Sequence, residues 1–139
     1  MNYFKISIAF TILINLISCN TAPTTTINTN TDLSTALGFV KSMYDGDFTA
    51  AECVTLQSND SKACFQKFVF SYKQLTSKAD KENYKNASII FAPKEVVNDS
   101  FVIYRINDPL HKSTPPPIAV VKKGATWLVD YAYSCSGNL

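Results

Sequence analysis

The sequence predicts an α+β domain in which helices come first and an antiparallel sheet follows. Apolar residues recur at helical spacing from Thr31 to Leu75, and β-branched or aromatic runs follow from Ser88 onward. A glycine turn at residues 123–125 joins the last two runs as a hairpin would. Helices segregated from strands are typical of α+β domains. With 139 residues, 46% hydrophobic and 17% charged, the chain is expected to form one globular domain.

The first helix is expected to begin at Thr31, a suitable N-cap, with Asp32 in the first turn. It is expected to end at residues 45–46, because Gly46 tolerates the left-handed conformation of a helix C-cap. A short second helix is expected from Phe48 to Cys53 or Val54. The first helix carries an apolar stripe at spacings of three and four, namely Leu33, Ala36, Leu37, Val40, Met43 and Tyr44.

A third helix is expected after a polar loop at residues 55–63, with N-cap candidates at Asn59 to Ser61. Its apolar positions run from Phe65 to Leu75 at spacings of three and four. The polar stretch from Thr76 to Ala87 is expected to end this helix by fraying. Beyond it the pattern changes to that of strands.

The strands are expected to form an antiparallel meander, with the helices lying in the concave face of a curved sheet. Pro93 closes the first strand, and a breaker loop at residues 107–117 with three successive prolines follows the second. The four strands are predicted at Ser88–Ala92, Ser100–Ile106, Ile118–Lys122 and Thr126–Tyr133.

The N-terminus reads as a secretory signal peptide. Lys5 precedes an apolar stretch at residues 6–17, which is shorter than the roughly 20 residues of a spanning helix and is followed by no basic cluster. The segment Leu16-Ile17-Ser18-Cys19 resembles the bacterial lipoprotein signal-peptidase box. That resemblance implies cleavage after residue 18 and a diacylglycerol on the thiol of Cys19. The alternative is an ordinary signal peptide followed by a chance cysteine.

The resemblance also implies a location in the cell. Asn20, in place of aspartate, indicates the outer membrane by the enterobacterial sorting rule, with the domain facing the periplasm. Residues 20–30 are rich in threonine and asparagine, and Ile27 is their single large apolar residue. They are expected to form a flexible tether. The expected organisation is therefore a signal peptide at 1–18, a lipidated tether at 19–30 and a domain at 31–139.

Two further segments resemble NTF2-like (cystatin-like) domains, and the layout resembles the small bacterial lipoproteins of the DUF4878 type. "FVKSMYDGDFTAAECV" (Phe39 to Val54) resembles their opening, in which a helix ends at a Gly-Asp-aromatic corner. "AVVKKGATWLVDYA" (Ala119 to Ala132) resembles their closing hairpin. The resemblance implies a cone-shaped fold that hosts enzymes, binding proteins and scaffolds alike.

The three cysteines other than Cys19 are expected in an oxidising compartment. Cys53 and Cys64 are close in sequence, so a disulfide between them would staple the corner between two helices. The odd number would leave one free thiol or an intermolecular bond, and Cys135 could compete for either partner. A metal site is not expected, because the chain has no Cys-x-x-Cys and His111 is its single histidine, in the proline loop.

Enzymes with the NTF2-like fold line the cone with acidic and aromatic residues. The candidates for acid–base chemistry are Asp45, Asp47, Asp130, Tyr44, Tyr104 and Tyr131. The alternative is that Asp45 and Asp47 cap helices and Asp130 faces water. The candidates for lining a ligand pocket are Tyr44, Tyr104, Trp127 and Tyr131, and the alternative is that these rings only fill the core.

The net charge of +2, with no lysine or arginine run, disfavours binding of nucleic acid. The leading hypothesis is a lipid-anchored, non-enzymatic envelope protein that binds a ligand or a protein, without a cofactor. A second is a periplasmic inhibitor or immunity lipoprotein against a toxin or phage factor, with residues 107–117 as its contact. A third is a small isomerase- or dehydratase-like enzyme using the cone.

Overall fold

A computed structural model describes residues 25–74, 77–107 and 117–136. It is an α+β structure with a four-stranded antiparallel sheet in the order β1-β2-β3-β4. The helices are α1 (Asp32–Asp45), α2 (Phe48–Cys53), α3 (Asn59–Gln74), α4 (Lys78–Asn86) and α5 (Tyr131–Cys135). The strands are β1 (Glu95–Asn98), β2 (Phe101–Tyr104), β3 (Ile118–Lys123) and β4 (Thr126–Asp130). The signal peptide, Cys19 and His111 lie outside the described residues.

Helix α1 has the predicted ends. The Thr31 side chain accepts a hydrogen bond from the Ser34 backbone N–H, and the Ser34 hydroxyl accepts one from the Thr31 N–H, forming a capping box. At the other end Gly46 is left-handed, with φ of 77°. A side chain there would be strained, which explains why this corner uses glycine.

The buried face of α1 differs from the predicted stripe. Leu33 and Leu37 are 50% and 44% exposed, whereas Thr35 and Phe39 are almost fully buried. Helix α1 packs against β3 and β4 through the side centred on Ala36 and Met43, so the stripe is rotated. Thr35 tolerates burial because its hydroxyl donates to the Thr31 carbonyl at 2.8 Å.

Helix α2 forms as predicted, with Asp47 as its N-cap. Helix α3 begins at Asn59, the first of the predicted N-cap candidates. The Ser58 side chain accepts from the Ser61 N–H at 3.2 Å, and the Ser58 carbonyl accepts from the Lys62 N–H. Ser58 therefore acts as an N-cap inside the segment that was predicted to be a loop.

The predicted fraying stretch forms a fourth helix instead. Ser77 caps α4 by accepting from the Asp80 N–H at 3.3 Å. None of its residues is buried, but α4 contacts α1, and Tyr84 packs its ring against those of Tyr44 and Tyr72. Helix α4 therefore forms although its sequence has little apolar periodicity, because it has an N-cap and its tyrosine packs against two other rings.

The antiparallel meander is confirmed, but its first strand lies later than predicted. In the predicted segment Ser88–Ala92, Phe91 forms an isolated bridge with Ile106, and Ala92 and Ile90 each share a backbone hydrogen bond with residues 105–107. Pro93 interrupts this edge, and β1 resumes at Glu95. The predicted hairpin joins β3 to β4, with Gly124 at φ of 62°.

The free edge of β4 is covered by this chain itself. The Trp127 N–H donates to the Thr29 carbonyl, and the Val129 backbone exchanges hydrogen bonds with Val54 and Leu56. Ile27 is half-buried and reaches so close to Gly38 that a Cβ there would lie 2.5 Å from it. Residues 27–30, predicted as tether, therefore pack on the domain.

Strand β4 ends at Asp130 and does not extend to Tyr133 as predicted. The Asp130 carboxylate accepts from the Tyr133 N–H at 3.2 Å and so caps the short helix α5. The buried Ser61 hydroxyl accepts from the Ala132 N–H and donates to Asp130, at 3.2 and 3.4 Å. These bonds tie the start of α3 to the β4–α5 corner.

The predicted Cys53–Cys64 disulfide is wrong. Cys64 on α3 is bonded to Cys135 on α5, with their Cα atoms 6.2 Å apart. Cys53 is disulfide-bonded as well, and none of the described cysteines is free. Closeness in sequence predicted the wrong partner because α5 packs against α3 and brings Cys135 beside it.

A single hydrophobic cluster joins α1, α2 and α3 to one face of the sheet and includes Tyr131 of α5. The sheet face toward it is a row of valines paired across three strands, Val102, Val120 and Val129. Among the described helices, each is too short or too polar to cross a membrane.

Peptide mapping without reductant is expected to find Cys64 linked to Cys135. The bond joins residues 71 apart, for which loop-closure entropy corresponds to about 4 kcal/mol. Replacing both cysteines by serine should therefore lower the free energy of unfolding by about 3–4 kcal/mol in urea. The control is Ser136→Ala, which alters an exposed residue next to the bond and should change the free energy of unfolding little. A peptide linking Cys53 to Cys64 would contradict the assignment.

Candidate functional site

Three of the four predicted pocket residues lie in the core. Tyr44, Tyr104 and Tyr131 are 7%, 3% and 5% exposed, and all three belong to the hydrophobic cluster. Tyr131 packs its ring against Phe39 and Phe65, with centroids 5.5 and 6.1 Å away. Burial raises the pKa of Tyr131 to about 12, so its hydroxyl is neutral at physiological pH.

Trp127, the fourth predicted pocket residue, lies half-buried at the edge of the same cluster. The Lys122 ammonium lies 5.8 Å from the centroid of its ring, a cation–π arrangement. The four residues therefore pack into or against one core.

Tyr104 belongs to a polar cluster where α1 begins. Its hydroxyl donates to the Asp32 carboxylate at 3.0 Å, and the Lys94 ammonium donates to the same oxygen at 2.8 Å. Burial, and then the hydrogen bond to Asp32, raise the pKa of Tyr104. Burial alone would raise the pKa of Asp32, but hydrogen bonds from Lys94, Tyr104 and the Leu33 N–H outweigh it and lower this pKa from its usual value.

This cluster holds α1 against β2 and is poorly suited to acid–base catalysis. A carboxylate whose pKa lies below its usual value is a weak base at neutral pH. The buried Tyr104 hydroxyl is committed to the same carboxylate. The geometry therefore makes Asp32, which the sequence analysis did not single out, a structural residue.

Each of the three predicted acidic candidates has its own structural role, as an ion pair or a helix cap. Asp45 pairs with Lys41 one helical turn away, with the ammonium 2.6 Å from the carboxylate. Asp47 caps α2 by accepting from the Ala50 N–H, and Asp130 caps α5. Asp47 matches the capping alternative, whereas Asp45 is the last residue of α1, which Gly46 caps. Asp130 is half-buried with a capping role instead of simply facing water. No group of three or more potential metal ligands forms among the described residues.

An open groove between α2 and α3 is the cavity that the sequence analysis missed. Its volume is about 470 Å³, within the range of small-molecule sites. Glu52 lies on the α2 side and Lys73 on the α3 side, so the groove carries both signs of charge. It is lined by Gly46, Asp47, Phe48, Thr49, Glu52, Phe65, Gln66, Val69 and Lys73.

The sequence analysis named part of this lining without predicting a groove. Gly46, Asp47 and Phe48 form the Gly-Asp-aromatic corner, and Glu52 lies in the same quoted segment. Lys73 belongs to no motif, and α3 lies beside this corner because Phe48 packs its ring against Phe68 and Tyr72. The groove could hold a small polar molecule by hydrogen bonds and ion pairs. It contains no histidine or cysteine that would supply a nucleophile.

Several large apolar side chains are exposed elsewhere on the surface. Phe70 on α3 is 65% exposed, and Val96 and Val97 on the edge strand β1 are 57% and 50% exposed. Ile90 is also exposed, as are Leu33 and Leu37 on α1. The proline loop that was predicted as a contact lies mostly outside the described residues.

Comparison with known proteins adds no relative: no family model, curated protein or solved structure matches this chain. The resemblance to lipoproteins and to NTF2-like domains therefore stays a hypothesis that rests on the residues quoted above.

Asp32→Asn is expected to lower the free energy of unfolding by about 1 kcal/mol at pH 7, because it weakens two hydrogen bonds to an ionised group. The folded-state pKa of Asp32 is depressed, so its contribution is present above about pH 4 and is lost as the pH falls further.

Urea denaturation of the wild type and Asp32→Asn at pH 7 and pH 3 measures this effect. The difference between the two proteins should shrink at pH 3. Asp99→Asn, in the exposed β1–β2 turn, is the matched control. An equal difference at both pH values would show that the Asp32 charge does not stabilise the fold.

Proposed function

We propose that this protein is a lipid-anchored protein of the bacterial cell envelope, whose domain is a non-enzymatic binding module. Cys19 carries the acyl anchor after removal of residues 1–18, as the resemblance of Leu16–Cys19 to the lipoprotein box implies. Asn20 favours the outer membrane, with the domain in the periplasm. Two or more acyl chains suffice for stable anchoring.

The Cys64–Cys135 disulfide, which lies in a different part of the chain from the signal peptide, also supports export of the protein. Disulfides persist in oxidising compartments such as the periplasm and are rare in the cytosol. This bond joins two helices that also pack against each other. It supports the assignment without depending on the N-terminal segment.

We also propose an NTF2-like arrangement of the domain. Helices precede an antiparallel meander, α1 packs against β3 and β4, and the last two strands form the hairpin that contains Gly124. These features agree with the layout of that fold. The additional helices α4 and α5 are departures from the pattern that the sequence suggested.

The burial of the central tyrosines is the observation that favours binding at the surface over catalysis in a cone. Tyr44, Tyr104 and Tyr131 fill the interior, and Asp45, Asp47 and Asp130 are engaged in an ion pair or helix caps. Binding would then use the groove between α2 and α3 or the exposed apolar side chains. An inhibitor or immunity role is the same proposal with a toxin or phage factor as the partner.

The anchor is tested by metabolic acyl labelling and by mass spectrometry of the mature N-terminal peptide. The wild type should carry the lipid and fractionate with membranes, and Cys19→Ala should lose both properties. A thioether sulfur cannot also form a disulfide. The anchor therefore requires that Cys53, which is disulfide-bonded, has a partner other than Cys19 in the mature protein. Because Cys64 and Cys135 bond to each other, that partner would belong to another chain. A mature chain in which Cys19 is disulfide-linked, or labelling that persists in Cys19→Ala, would therefore contradict the anchor.

The binding role is tested on protein extracted from membranes. Native mass spectrometry should reveal a co-purified small molecule, or cross-linking should capture a reproducible partner. A ligand in the groove should be lost in Glu52→Lys and kept in Glu95→Lys, which makes the same charge change on β1. Absence of both ligand and partner, together with turnover of a small-molecule substrate, would favour the enzyme instead.

A further inference from the structure

The solvent-facing side of α3 combines an aromatic ring with positive charge. Phe70 is the most exposed large apolar side chain among the described residues, at 65%. Residues three and four apart share a face of a helix, so its neighbours on the surface are known. We call this surface the outer face of α3; it consists of Ala63, Gln66, Lys67, Phe70, Lys73 and Gln74, all exposed.

A single exposed phenylalanine needs no explanation by itself. Here, however, Lys67 and Lys73 lie three residues before and after Phe70, and both are exposed. Helix α3 contains one carboxylate, Asp60, which lies in its first turn. On α3 itself the ring is therefore flanked by cations without a neighbouring anion, while across the groove Lys73 lies opposite Glu52.

The charge of the whole domain is divided in the same way. Helices α3 and α4 carry six lysines and three carboxylates, whereas the remaining described residues carry five cations and seven carboxylates. The net charge of the chain is close to zero, but α3 and α4 together are positive and the remaining described residues are slightly negative. A surface that is both cationic and aromatic is complementary to anionic lipid headgroups.

Under the proposed function the domain lies close to such headgroups at all times. Ile27 already packs on the domain, and it lies eight positions after Cys19 in the sequence. A chain of that length spans at most about 28 Å when fully extended. The anchor would therefore keep the domain near the membrane, which raises the effective concentration of even a weak contact.

We propose that the outer face of α3 docks the domain on the anionic lipid surface that holds its anchor. Phe70 enters the headgroup layer, and Lys67 and Lys73 lie against lipid phosphates. This inference rests on the proposed lipid anchor. It adds an orientation, in which α3 faces the membrane and the β3–β4 hairpin lysines remain in water.

The test uses the full acylated protein, extracted and reconstituted in vesicles of phosphatidylcholine alone or mixed with phosphatidylglycerol. Amine-reactive labelling of Lys67, relative to Lys123 on the β3–β4 hairpin, is read by mass spectrometry. One lysine near an anionic surface changes the docked population by roughly fivefold. Lys67 should therefore label about fivefold more slowly in the phosphatidylglycerol vesicles, and about 1 M salt should abolish the difference.

Matched variants separate docking from general attraction. Phe70→Ser and Lys73→Glu should each remove most of the protection of Lys67. Val97→Ser, which removes another exposed apolar side chain, and Lys122→Glu, which reverses a hairpin charge, should keep it. Equal labelling of Lys67 in both vesicles, or protection that Phe70→Ser leaves intact, would overturn the proposal.

Two further outcomes show whether the lipid docking, the lipid anchor or both are contradicted. Protection in native membranes but not in protein-free vesicles would assign the face to a protein partner and overturn docking on lipid. A mature chain without acyl mass would overturn the anchor itself. An acylated chain whose Lys67 stays reactive would overturn docking alone.

Discussion

The contact of Phe39, Phe65 and Tyr131 holds the described structure together. The three rings lie on α1, α3 and α5, and their centroids are 5.5 to 6.5 Å apart in each pair. Each ring is at most 5% exposed, so removing any of them would leave a cavity where three helices meet. The Cys64–Cys135 disulfide joins α3 to α5 one residue away from Phe65 and reinforces the same junction.

This junction explains why function is expected at the surface. Tyr131 can complete the core only because β4 ends at Asp130 and the chain turns into α5. The Asp130 carboxylate and the Ser61 hydroxyl satisfy the backbone N–H groups that this turn exposes. Because these aromatic rings pack in the interior, binding is proposed at the groove between α2 and α3 and at the outer face of α3.

Local signals in the sequence predicted the elements whose ends depend on a few neighbouring residues. Thr31 and Gly46 set the ends of α1, and Gly124 sets the turn of the last hairpin, through the capping and φ preferences of those residue types. The α+β class and the antiparallel meander followed from the change of apolar period along the chain. Of the candidate site, the sequence supplied the residue types but not their surroundings.

The tertiary structure decided which residues meet. Leu33 and Leu37 belong to the predicted apolar stripe of α1 and Phe39 does not, yet packing against the sheet buries Phe39 and leaves the two leucines exposed. Cys64 has a nearer neighbour in Cys53, yet α5 brings Cys135 to it from 71 residues away. Capping and turn preferences act within a few residues, so the sequence alone determined them. Burial, disulfide partners and grooves depend on contacts between distant segments, which exist only once the chain has packed.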